Sequence, residues 1–349
     1  MSDTAFEEIN ILSDKVNKST IPEDLKKSVL VRLSQLQKLT NSPTFLPEYD
    51  RMDSYIGWIT NLPWSQKSED NLDLVNAKKI LDEKHFGLDD IKDRILEYLS
   101  VMKLKKEKGE ADDIYRAPIL CFVGLVGTGK TTIAYSIAEA LGRKIARIPF
   151  GGMGDPLDLR GQSKMHPEAE PGKIIKAMRD TQFKNSVILL DEIDRVTDLG
   201  RASIMGVLVE LLDPGQNHAF SDHYIDYPFD LSECIFIATA NNTTNISTAV
   251  MDRIEPIMMP SYTDLEKITI GKRYVFPKAL KDAGLTPEVL QIDDEVWANL
   301  VRPFGYDAGI RTMERTIGGV VRKVARAIVE GKGTSFHVTT TNVKEFLPL

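Results

Sequence analysis

Hydrophobic and polar positions divide the chain into three stretches of different pattern. In residues 21–39 apolar side chains recur three and four positions apart, which is the spacing of an amphipathic helix. They are Leu25, Val29, Leu33, Leu36 and Leu39. A second helical pattern follows the breaker cluster at residues 41–47. Residues 1–70 are therefore predicted to form a helical neck.

Residues 71–262 begin with two further helical patterns and then alternate apolar runs with helical patterns. The predicted strands are residues 118–123, 144–148, 186–190, 233–239 and 256–259. The predicted helices lie near residues 130–141, 172–181, 201–212 and 246–251. Continuous apolar strands that alternate with helices are typical of a parallel sheet covered on both faces. We therefore predict an α/β core with a five-stranded parallel sheet.

The alternation stops after residue 262, and the remaining pattern is mainly helical. Helices are predicted at residues 265–280, 293–301 and 310–330, with a short strand at 335–339. Residues 263–349 are therefore predicted to form a separate α-helical lid.

Composition and charge restrict the class of protein. The 349 residues are 42% hydrophobic and 27% charged, which is typical of a soluble globular protein. No apolar run approaches the roughly 20 residues of a membrane helix, and the acidic N-terminus does not resemble a signal or transit peptide. We therefore expect a cytoplasmic protein that does not contact a membrane.

The net charge is −7, from 44 basic and 51 acidic side chains, which gives no electrostatic reason to expect nucleic-acid binding. The two cysteines and five histidines show no metal-binding spacing.

One segment carries a specific chemical signal. Residues 124–131 read Gly-Leu-Val-Gly-Thr-Gly-Lys-Thr and match the phosphate-binding loop G-x-x-x-x-G-K-[ST] at every fixed position. Glycines let the loop curl so that successive backbone N–H groups converge on phosphate oxygens. Lys130 is predicted to reach the β and γ phosphates, and the Thr131 hydroxyl to bind Mg²⁺. The predicted nucleotide-binding residues are Gly124, Leu125, Val126, Gly127, Thr128, Gly129, Lys130, Thr131 and Thr132.

Two acids follow the third predicted strand. Asp191 ends the apolar run of residues 187–190, and Glu192 comes next. Asp191 is predicted to hold Mg²⁺, and Glu192 to polarise the water that attacks the γ phosphate. Combined with the phosphate loop, this pair favours hydrolysis of ATP over binding alone.

Several further segments resemble the ATPase part of the Lon protease family, within the AAA+ superfamily. The resemblance extends from about residue 15 to the C-terminus. It is carried by Leu-Pro-Trp at 62–64, Leu-Asp-Glu-Ile-Asp at 190–194, Phe-Ser-Asp-His-Tyr at 220–224, Ile-Ala-Thr-Ala-Asn at 237–241 and Met-Asp-Arg-Ile-Glu at 251–255.

The resemblance implies roles that spacing alone does not assign. Asn241 is similar to the family's sensor-1 residue, which orients the attacking water, although a strand-end turn residue is the alternative. Arg253 resembles the arginine finger that reaches the neighbouring subunit's nucleotide, although most arginines make surface ion pairs. Arg311 resembles the lid's sensor-2 arginine. Phe86 and Gly87 fall where the family lines its adenine pocket, although Phe86 could be a core aromatic.

A finger supplied in trans implies a ring, and the family's ring is a hexamer.

Two departures limit what the resemblance implies. The chain ends at Leu349, where the family's peptidase domain would begin, and contains no Pro-Lys-Asp-Gly-Pro-Ser run. It also starts near the neck, without a large N-terminal domain. We therefore expect no peptidase activity of Lon type from this chain, although a separate peptidase could bind it.

The second departure concerns the loop that threads substrates in the family. The positions of its aromatic-aliphatic pair hold His166 and Pro167, next to Met165 and followed by two acids. An aromatic ring holds an extended chain by contact area and stacking, which His-Pro does poorly. Either Met165 or His166 still grips a protein substrate, or the loop no longer does so.

Three interpretations remain open on this basis. The first is a ring-forming ATPase that remodels or unfolds proteins, like a chaperone, and the second is an excised ATPase module of a full protease. The third is a scaffold gated by nucleotide that moves no substrate.

Overall fold

The computed structural model describes residues 2–109, 118–166, 168–302 and 309–348. The chain forms two compact units that are discontinuous in sequence. The first unit comprises Met1–Asp73, Tyr98–Cys121 and Ala138–Pro256, and the second comprises Leu74–Glu97, Phe122–Ile137 and Ile257–Leu349. The division into residues 1–70, 71–262 and 263–349 stays a prediction.

The N-terminal stretch is helical, as its pattern predicts. It forms α1 (Ser2–Lys18), α2 (Glu23–Gln37) and α3 (Phe45–Thr60). Four of the five apolar positions predicted to share one face of α2 are buried, whereas Leu39 follows the end of that helix and is 39% exposed. Helix α3 is attached to the rest of the first unit by Tyr55, whose hydroxyl donates to the Ile225 carbonyl at 2.9 Å.

Helices α4 (Leu74–Lys84) and α5 (Asp89–Glu107) lead to the central sheet. The chain then runs through β1 (Ile119–Val123), α6 (Lys130–Ala140), β2 (Ile145–Pro149), α7 (Leu157–Arg160), α8 (Lys173–Thr181), β3 (Val187–Asp191), α9 (Arg201–Leu211), β4 (Phe220–Ser221), β5 (Pro228–Phe229), β6 (Ile235–Ala240), α10 (Thr248–Met251) and β7 (Ile254–Met258). Strands β4 and β5 form a small antiparallel pair that the sequence pattern did not indicate.

The central sheet has five strands in the order β2-β3-β6-β1-β7, which confirms the predicted α/β architecture. Strand β3 pairs in parallel with β2 and β6, with Val187 opposite Ile145 and Ile235. Strands β3 and β6 are buried along their whole length, because both faces of a parallel sheet are covered. The carboxyl ends of parallel strands share one edge, and Asp191 ends β3 there.

The C-terminal stretch forms α11 (Asp264–Ile270), α12 (Phe276–Asp282), β8 (Leu290–Ile292), α13 (Trp297–Val301), α14 (Arg311–Val329), β9 (Phe336–Val338) and α15 (Val343–Phe346). A π-helical segment, Gly271–Val275, joins α11 to α12 where the sequence predicted one uniform helix. Pro277 lies in the first turn of α12 and has no N–H for an ordinary helical bond. Strand β8 pairs with β9 and was not predicted.

No helix in the described part of the chain is long and apolar enough to cross a membrane.

Candidate nucleotide site

The phosphate loop connects β1 to α6 in the conformation that its glycines permit. Gly127 and Gly129 have φ angles of 83° and 95°, in the left-handed region that favours glycine. At Gly124 a Cβ atom would lie 2.8 Å from both the Cβ and the carbonyl oxygen of Met259. The fixed glycines of the motif are therefore required by backbone geometry and by close packing.

Side chains of the loop fold back onto its own carbonyls. The Lys130 ammonium donates to the carbonyls of Gly124 at 2.6 Å and Leu125 at 3.0 Å, and the residue is 8% exposed. The Thr128 hydroxyl donates to Leu125 at 2.9 Å, and the Thr132 hydroxyl to Gly129 at 2.8 Å. These bonds hold the loop tightly curled and keep the ammonium at the loop.

The start of α14 packs against the same loop. The Ile310 N–H donates to the Gly127 carbonyl at 3.1 Å. A Cβ atom on Gly309 would lie only 2.2 Å from the Val126 carbonyl oxygen, so glycine is required for this approach. Arg311, the predicted sensor-2 residue, is the first residue of α14 and is exposed. The structure thus brings Arg311 to the phosphate loop within the second unit.

Tyr262 is a loop contact that sequence analysis missed. Its hydroxyl donates to the Thr128 carbonyl at 3.2 Å. Burial, assisted by the Glu266 carboxylate, raises the pKa of Tyr262 to about 12. The hydroxyl therefore stays protonated and can keep this bond. A tyrosine just after the last core strand gives no signal of such a role in a single sequence.

A cavity of about 620 Å³ lies beside the loop in the second unit. It is lined by Gly129 and Thr132 of the loop region, by Phe86, and by residues of α12 and α14. Its volume lies in the range of small-molecule sites. Phe86 lines this cavity and also packs against the hydrophobic core of the second unit. Gly87 has a φ of +63° and forms the turn after it. The adenine-pocket role of both residues stays a prediction.

The acid pair lies in the first unit in a network of side chains. The Asp191 carboxylate is nearly buried and accepts from the Thr239 hydroxyl at 2.5 Å. It also accepts from Nε and Nη2 of Arg147, both at 2.6 Å. Strand register places these partners next to Asp191, because β2 and β6 flank β3. Sequence analysis missed both residues, since neither belongs to a local motif.

Glu192 follows with a φ of 58°, in the left-handed region where non-glycine residues are uncommon. Its N–H donates to the Thr239 hydroxyl at 2.9 Å, so Thr239 connects both acids. Its carboxylate is partly exposed and lies 3.8 Å from the Arg195 guanidinium. Strained backbone of this kind is concentrated at functional sites.

Asn241 belongs to the same cluster. Its N–H donates to the Asp194 carboxylate at 3.0 Å, and its side-chain amide lies 3.5 Å from the other carboxylate oxygen. Asp194 is buried and receives these contacts two residues after Glu192. The first unit therefore brings three predicted residues together, namely Asp191, Glu192 and Asn241.

Arg253 makes an ion pair within its own chain. Its guanidinium donates to Asp213 at 2.7 Å and to the Ala249 carbonyl at 2.8 Å. The hydrogen bond from Arg253, followed by one from the Gly215 N–H, lowers the pKa of Asp213. The position matches the ion-pair alternative, and the finger role stays a prediction.

The loop at residues 163–166 is held at its base and exposed beyond it. Lys164 pairs with Asp226 at 2.9 Å and lies over the Tyr55 ring at 4.7 Å from its centroid. Met165 is 77% exposed, and His166 is also exposed. Pro167, the third predicted substrate-contacting residue, lies outside the described residues.

The predicted magnesium ligands are Thr131 and Asp191, a hydroxyl and a carboxylate. Such hard oxygen donors fit Mg²⁺, which usually keeps several waters and binds substrate phosphates with one or two protein ligands. Within the described ranges, no group of three His, Cys, Asp or Glu side chains could hold a metal ion. The donor set therefore fits an ion that arrives with nucleotide phosphates.

Comparison with known proteins defines the class. Residues 120–262 match the "ATPase family associated with various cellular activities (AAA)", and residues 281–336 match the "Lon protease AAA+ ATPase lid domain". With the parallel sheet and the phosphate loop, these matches define an AAA+ ATPase. The second match is to the lid domain of one branch of this class, the Lon proteases.

Relatives identify that branch. Lon protease of Lawsonia intracellularis is 45% identical over 344 residues, which are 98% of this chain and 40% of that protein. Lon protease 2 of Thermus thermophilus is 46% identical over 299 residues, covering 84% of this chain and 37% of that protein. The chain is a Lon-type AAA+ ATPase module. It spans about 40% of the length of these relatives.

Proposed function

We propose that the chain binds Mg-ATP and hydrolyses it to drive the remodelling or unfolding of protein substrates. The observation that carries the proposal is the phosphate loop, with Gly127 and Gly129 in left-handed conformations and Lys130 held at the loop. A cavity of about 620 Å³ adjoins this loop. Membership of the AAA+ class supports nucleotide as the ligand.

The proposed binding roles follow from the donors that the loop offers. Its backbone N–H groups and the dipole of α6 favour the phosphates, and Lys130 adds a positive charge. Thr131 and Asp191 would hold Mg²⁺, the latter through water because its oxygens already accept from Arg147 and Thr239. Bound Mg²⁺ would neutralise charge that develops on the phosphates.

The proposed catalytic roles belong to four residues. Glu192 polarises the attacking water, because its carboxylate is partly exposed and its backbone is fixed through Thr239. Asn241 orients the same water from its position on Asp194. Arg311 contacts the nucleotide from the start of α14, and Arg253 leaves Asp213 to reach the nucleotide of a neighbouring subunit.

The proposed assembly is a ring of identical subunits, because an arginine finger acting in trans leaves a single subunit with an incomplete site. The resemblance to the Lon family favours a homohexamer. The proposed location is the cytoplasm. The exposed loop at Met165, His166 and Pro167 is the proposed contact for a protein substrate. A separate peptidase is a further proposed partner.

The proposal is tested by two substitutions with opposite signatures. Lys130→Ala removes the ammonium at the loop and is expected to weaken ADP binding by on the order of a hundredfold. Glu192→Gln keeps the binding groups, so ADP affinity should stay within twofold while steady-state phosphate release falls at least a hundredfold. Isothermal titration calorimetry and a phosphate-release assay measure the two quantities.

Lys281→Ala, at an exposed position of α12, is the matched control for loss of a lysine. Wild-type ADP affinity in Lys130→Ala would refute the loop assignment. Wild-type turnover in Glu192→Gln would refute the role of Glu192. The trans role of Arg253 is tested by mixing Arg253→Ala with Lys130→Ala subunits, which should partly restore turnover at mixed interfaces. Failure of every mixing ratio to raise turnover would count against a trans finger.

One observation favours a second function, a scaffold gated by nucleotide that moves no substrate. The predicted gripping positions hold His166 and Pro167, with Glu168 and Glu170 following. The discriminating measurement is ATP turnover with and without an unfolded protein such as casein. Stimulation by casein supports the remodelling function. Tight ATP binding with turnover as slow as that of Glu192→Gln supports the scaffold.

A further inference from the structure

Four charged side chains of α12 and α14 line the cavity beside the phosphate loop in the described structure. They are Lys278 and Asp282 on α12, and Glu314 and Arg322 on α14. No side-chain hydrogen bond or ion pair joins any of these four side chains to another described residue, although the charge of Lys278 acts on Glu314. A few polar side chains that converge on a cavity are typical of a ligand site.

Helix α14 begins at the phosphate loop and runs along this cavity, so the position of a residue in the helix gives its distance from the loop. Ile310 donates to the loop at Gly127 immediately before the helix begins. Ile310, Glu314 and Gly318 all line the cavity and are four residues apart, so they lie on one face of the helix. With a rise of about 1.5 Å per residue, Glu314 lies about 6 Å and Gly318 about 12 Å further along.

A nucleotide whose phosphates occupy the loop and whose base enters the cavity would present its groups in a fixed order along α14. The ribose is joined directly to the phosphates, and the base lies beyond it. Glu314, one turn from the loop, is therefore level with the ribose. Gly318, two turns from the loop, is level with the base, and its missing side chain leaves room for a planar ring. A Cβ atom there would meet only the flexible end of Arg322, at 3.2 Å.

We propose that Glu314 accepts hydrogen bonds from the 2′ and 3′ hydroxyls of the ribose and thereby selects ribonucleotides over 2′-deoxyribonucleotides. This inference rests on the proposed nucleotide function. An ionised carboxylate is an acceptor with two oxygens, which suits two neighbouring hydroxyl donors. An acidic residue binds the ribose of dinucleotides by the same chemistry in another fold.

Two opposing effects act on the carboxyl of Glu314. Burial raises the pKa of its carboxyl, whereas the charges of Lys278 and Arg311 act in the opposite direction. Burial is the larger effect, so the pKa of Glu314 lies above its ordinary value, and the two cations limit that rise. Glu314 remains accessible to solvent, so a bound ribose can reach its carboxylate.

The competing assignment is that Glu314 accepts from the 6-amino group of adenine. The helical spacing favours the ribose, because the base level corresponds to Gly318. Replacing ADP with 2′-deoxyADP removes one ribose donor, and replacing it with IDP removes the amino group of the base. Comparing the three diphosphates therefore distinguishes the two groups, and the use of diphosphates avoids hydrolysis during the titration.

The experiment measures the affinities of ADP, 2′-deoxyADP and IDP by isothermal titration calorimetry with unlabelled nucleotides. Wild type is expected to bind ADP about tenfold more tightly than 2′-deoxyADP. In Glu314→Ala that ratio should fall to about one, mainly because ADP binds more weakly. Glu314→Gln should give an intermediate ratio, since its amide oxygen still accepts. Glu288→Ala, an exposed acid in the same unit, should keep the wild-type ratio.

The ratio of ADP to IDP affinity should be the same in wild type and Glu314→Ala. A ribose ratio near one in wild type, or a tenfold ratio that persists in Glu314→Ala, would overturn the inference. A changed IDP ratio with an unchanged ribose ratio would also overturn it and assign Glu314 to the base. These failures leave ADP binding intact, whereas failure of the proposed function would appear as no binding of any nucleotide to wild type.

Discussion

The phosphate-loop region of the second unit and the acid cluster of the first unit are built by different means. The loop region depends on the main chain, because Gly127 and Gly129 have left-handed conformations and Gly309 allows backbone contact. The acid cluster depends on side chains from three strands, which meet at Asp191 through Arg147 and Thr239. The loop region requires residues without a side chain, whereas the acid cluster requires particular polar side chains.

This difference determines how each region should respond to substitution. A loop that binds through N–H groups tolerates changes of side chain that leave its backbone path open, but not an added Cβ at a close contact. A cluster of buried polar groups fails when one partner is lost, because the remaining group keeps its desolvation cost. Added volume should therefore damage the loop region most, and lost hydrogen bonds should damage the acid cluster most.

The largest expected effect comes from Gly309→Ala. The new Cβ would lie 2.2 Å from the Val126 carbonyl oxygen and 2.7 Å from backbone carbons of Gly127, so the backbone must move. We expect a loss of roughly 2–4 kcal/mol in the free energy of unfolding. ADP affinity should also fall at least tenfold, because the start of α14 is displaced from the loop. Chemical denaturation and titration calorimetry measure the two changes.

Gly206→Ala is the matched control. This glycine lies within α9, and nothing is within 4 Å of an added Cβ. Alanine has the higher helix propensity, so the free energy of unfolding should rise by roughly 0.5–1 kcal/mol. Equal responses of the two glycines would show that close contact is not what the loop region requires.

An intermediate effect is expected from Thr239→Val in the acid cluster. The hydroxyl donates to Asp191 at 2.5 Å and accepts from the Glu192 N–H at 2.9 Å. Valine keeps the shape but leaves the buried Asp191 carboxylate and the partly buried Glu192 N–H without this partner, which should cost roughly 1–3 kcal/mol. ATP turnover should fall at least tenfold while ADP affinity stays within about threefold, because the loop region is unchanged.

Thr269→Val removes the same hydroxyl at an exposed position of α11, where it bonds only the Leu265 carbonyl. Its stability should change by less than about 0.5 kcal/mol. If Thr239→Val lowered ADP affinity as strongly as turnover, the acid cluster would not be separable from nucleotide binding.

The same contrast explains what the sequence could predict. The five strands of the sheet were located to within two residues, because continuous apolar runs between turn signals describe buried parallel strands. The loop residues form a local motif whose spacing is fixed by chemistry, and the expected curled loop between a strand and a helix is present. Their nucleotide-binding roles stay a prediction. The π-helical segment was missed, because apolar periodicity does not distinguish it from an ordinary helix over one turn.

The rest of the candidate site could not be predicted from spacing. Arg147 is 44 residues from Asp191 in the chain, and Thr239 is 48 residues from it. Both become neighbours only through the strand order, which a single sequence does not specify. Tyr262 and Glu314 likewise depend on how the last helices fold back onto the loop, and no motif around either residue indicates that contact.

The smallest expected effect is a pH dependence of stability that arises at His85 in the loop region. The residue is buried, lines the cavity and shares a 2.8 Å hydrogen bond with Ser136 of α6. Burial first, and then the charges of Lys92 and Lys84, lower the pKa of His85 from 6.5 to about 4. The folded protein therefore holds this histidine neutral down to lower pH than the unfolded chain does.

Between pH 6.5 and 4, unfolding takes up a proton at His85, so this contribution to stability is complete above pH 6.5 and declines as the pH falls. At pH 5 the loss relative to pH 7.5 should be roughly 1–2 kcal/mol. His85→Asn cannot titrate in this range. Its loss of stability between pH 7.5 and 5 should therefore be smaller than that of the wild type by roughly 1–2 kcal/mol. Urea denaturation of both proteins at the two pH values measures this difference. If the free energy of unfolding fell equally in both proteins between pH 7.5 and 5, protonation of His85 would not affect stability and the prediction would be wrong.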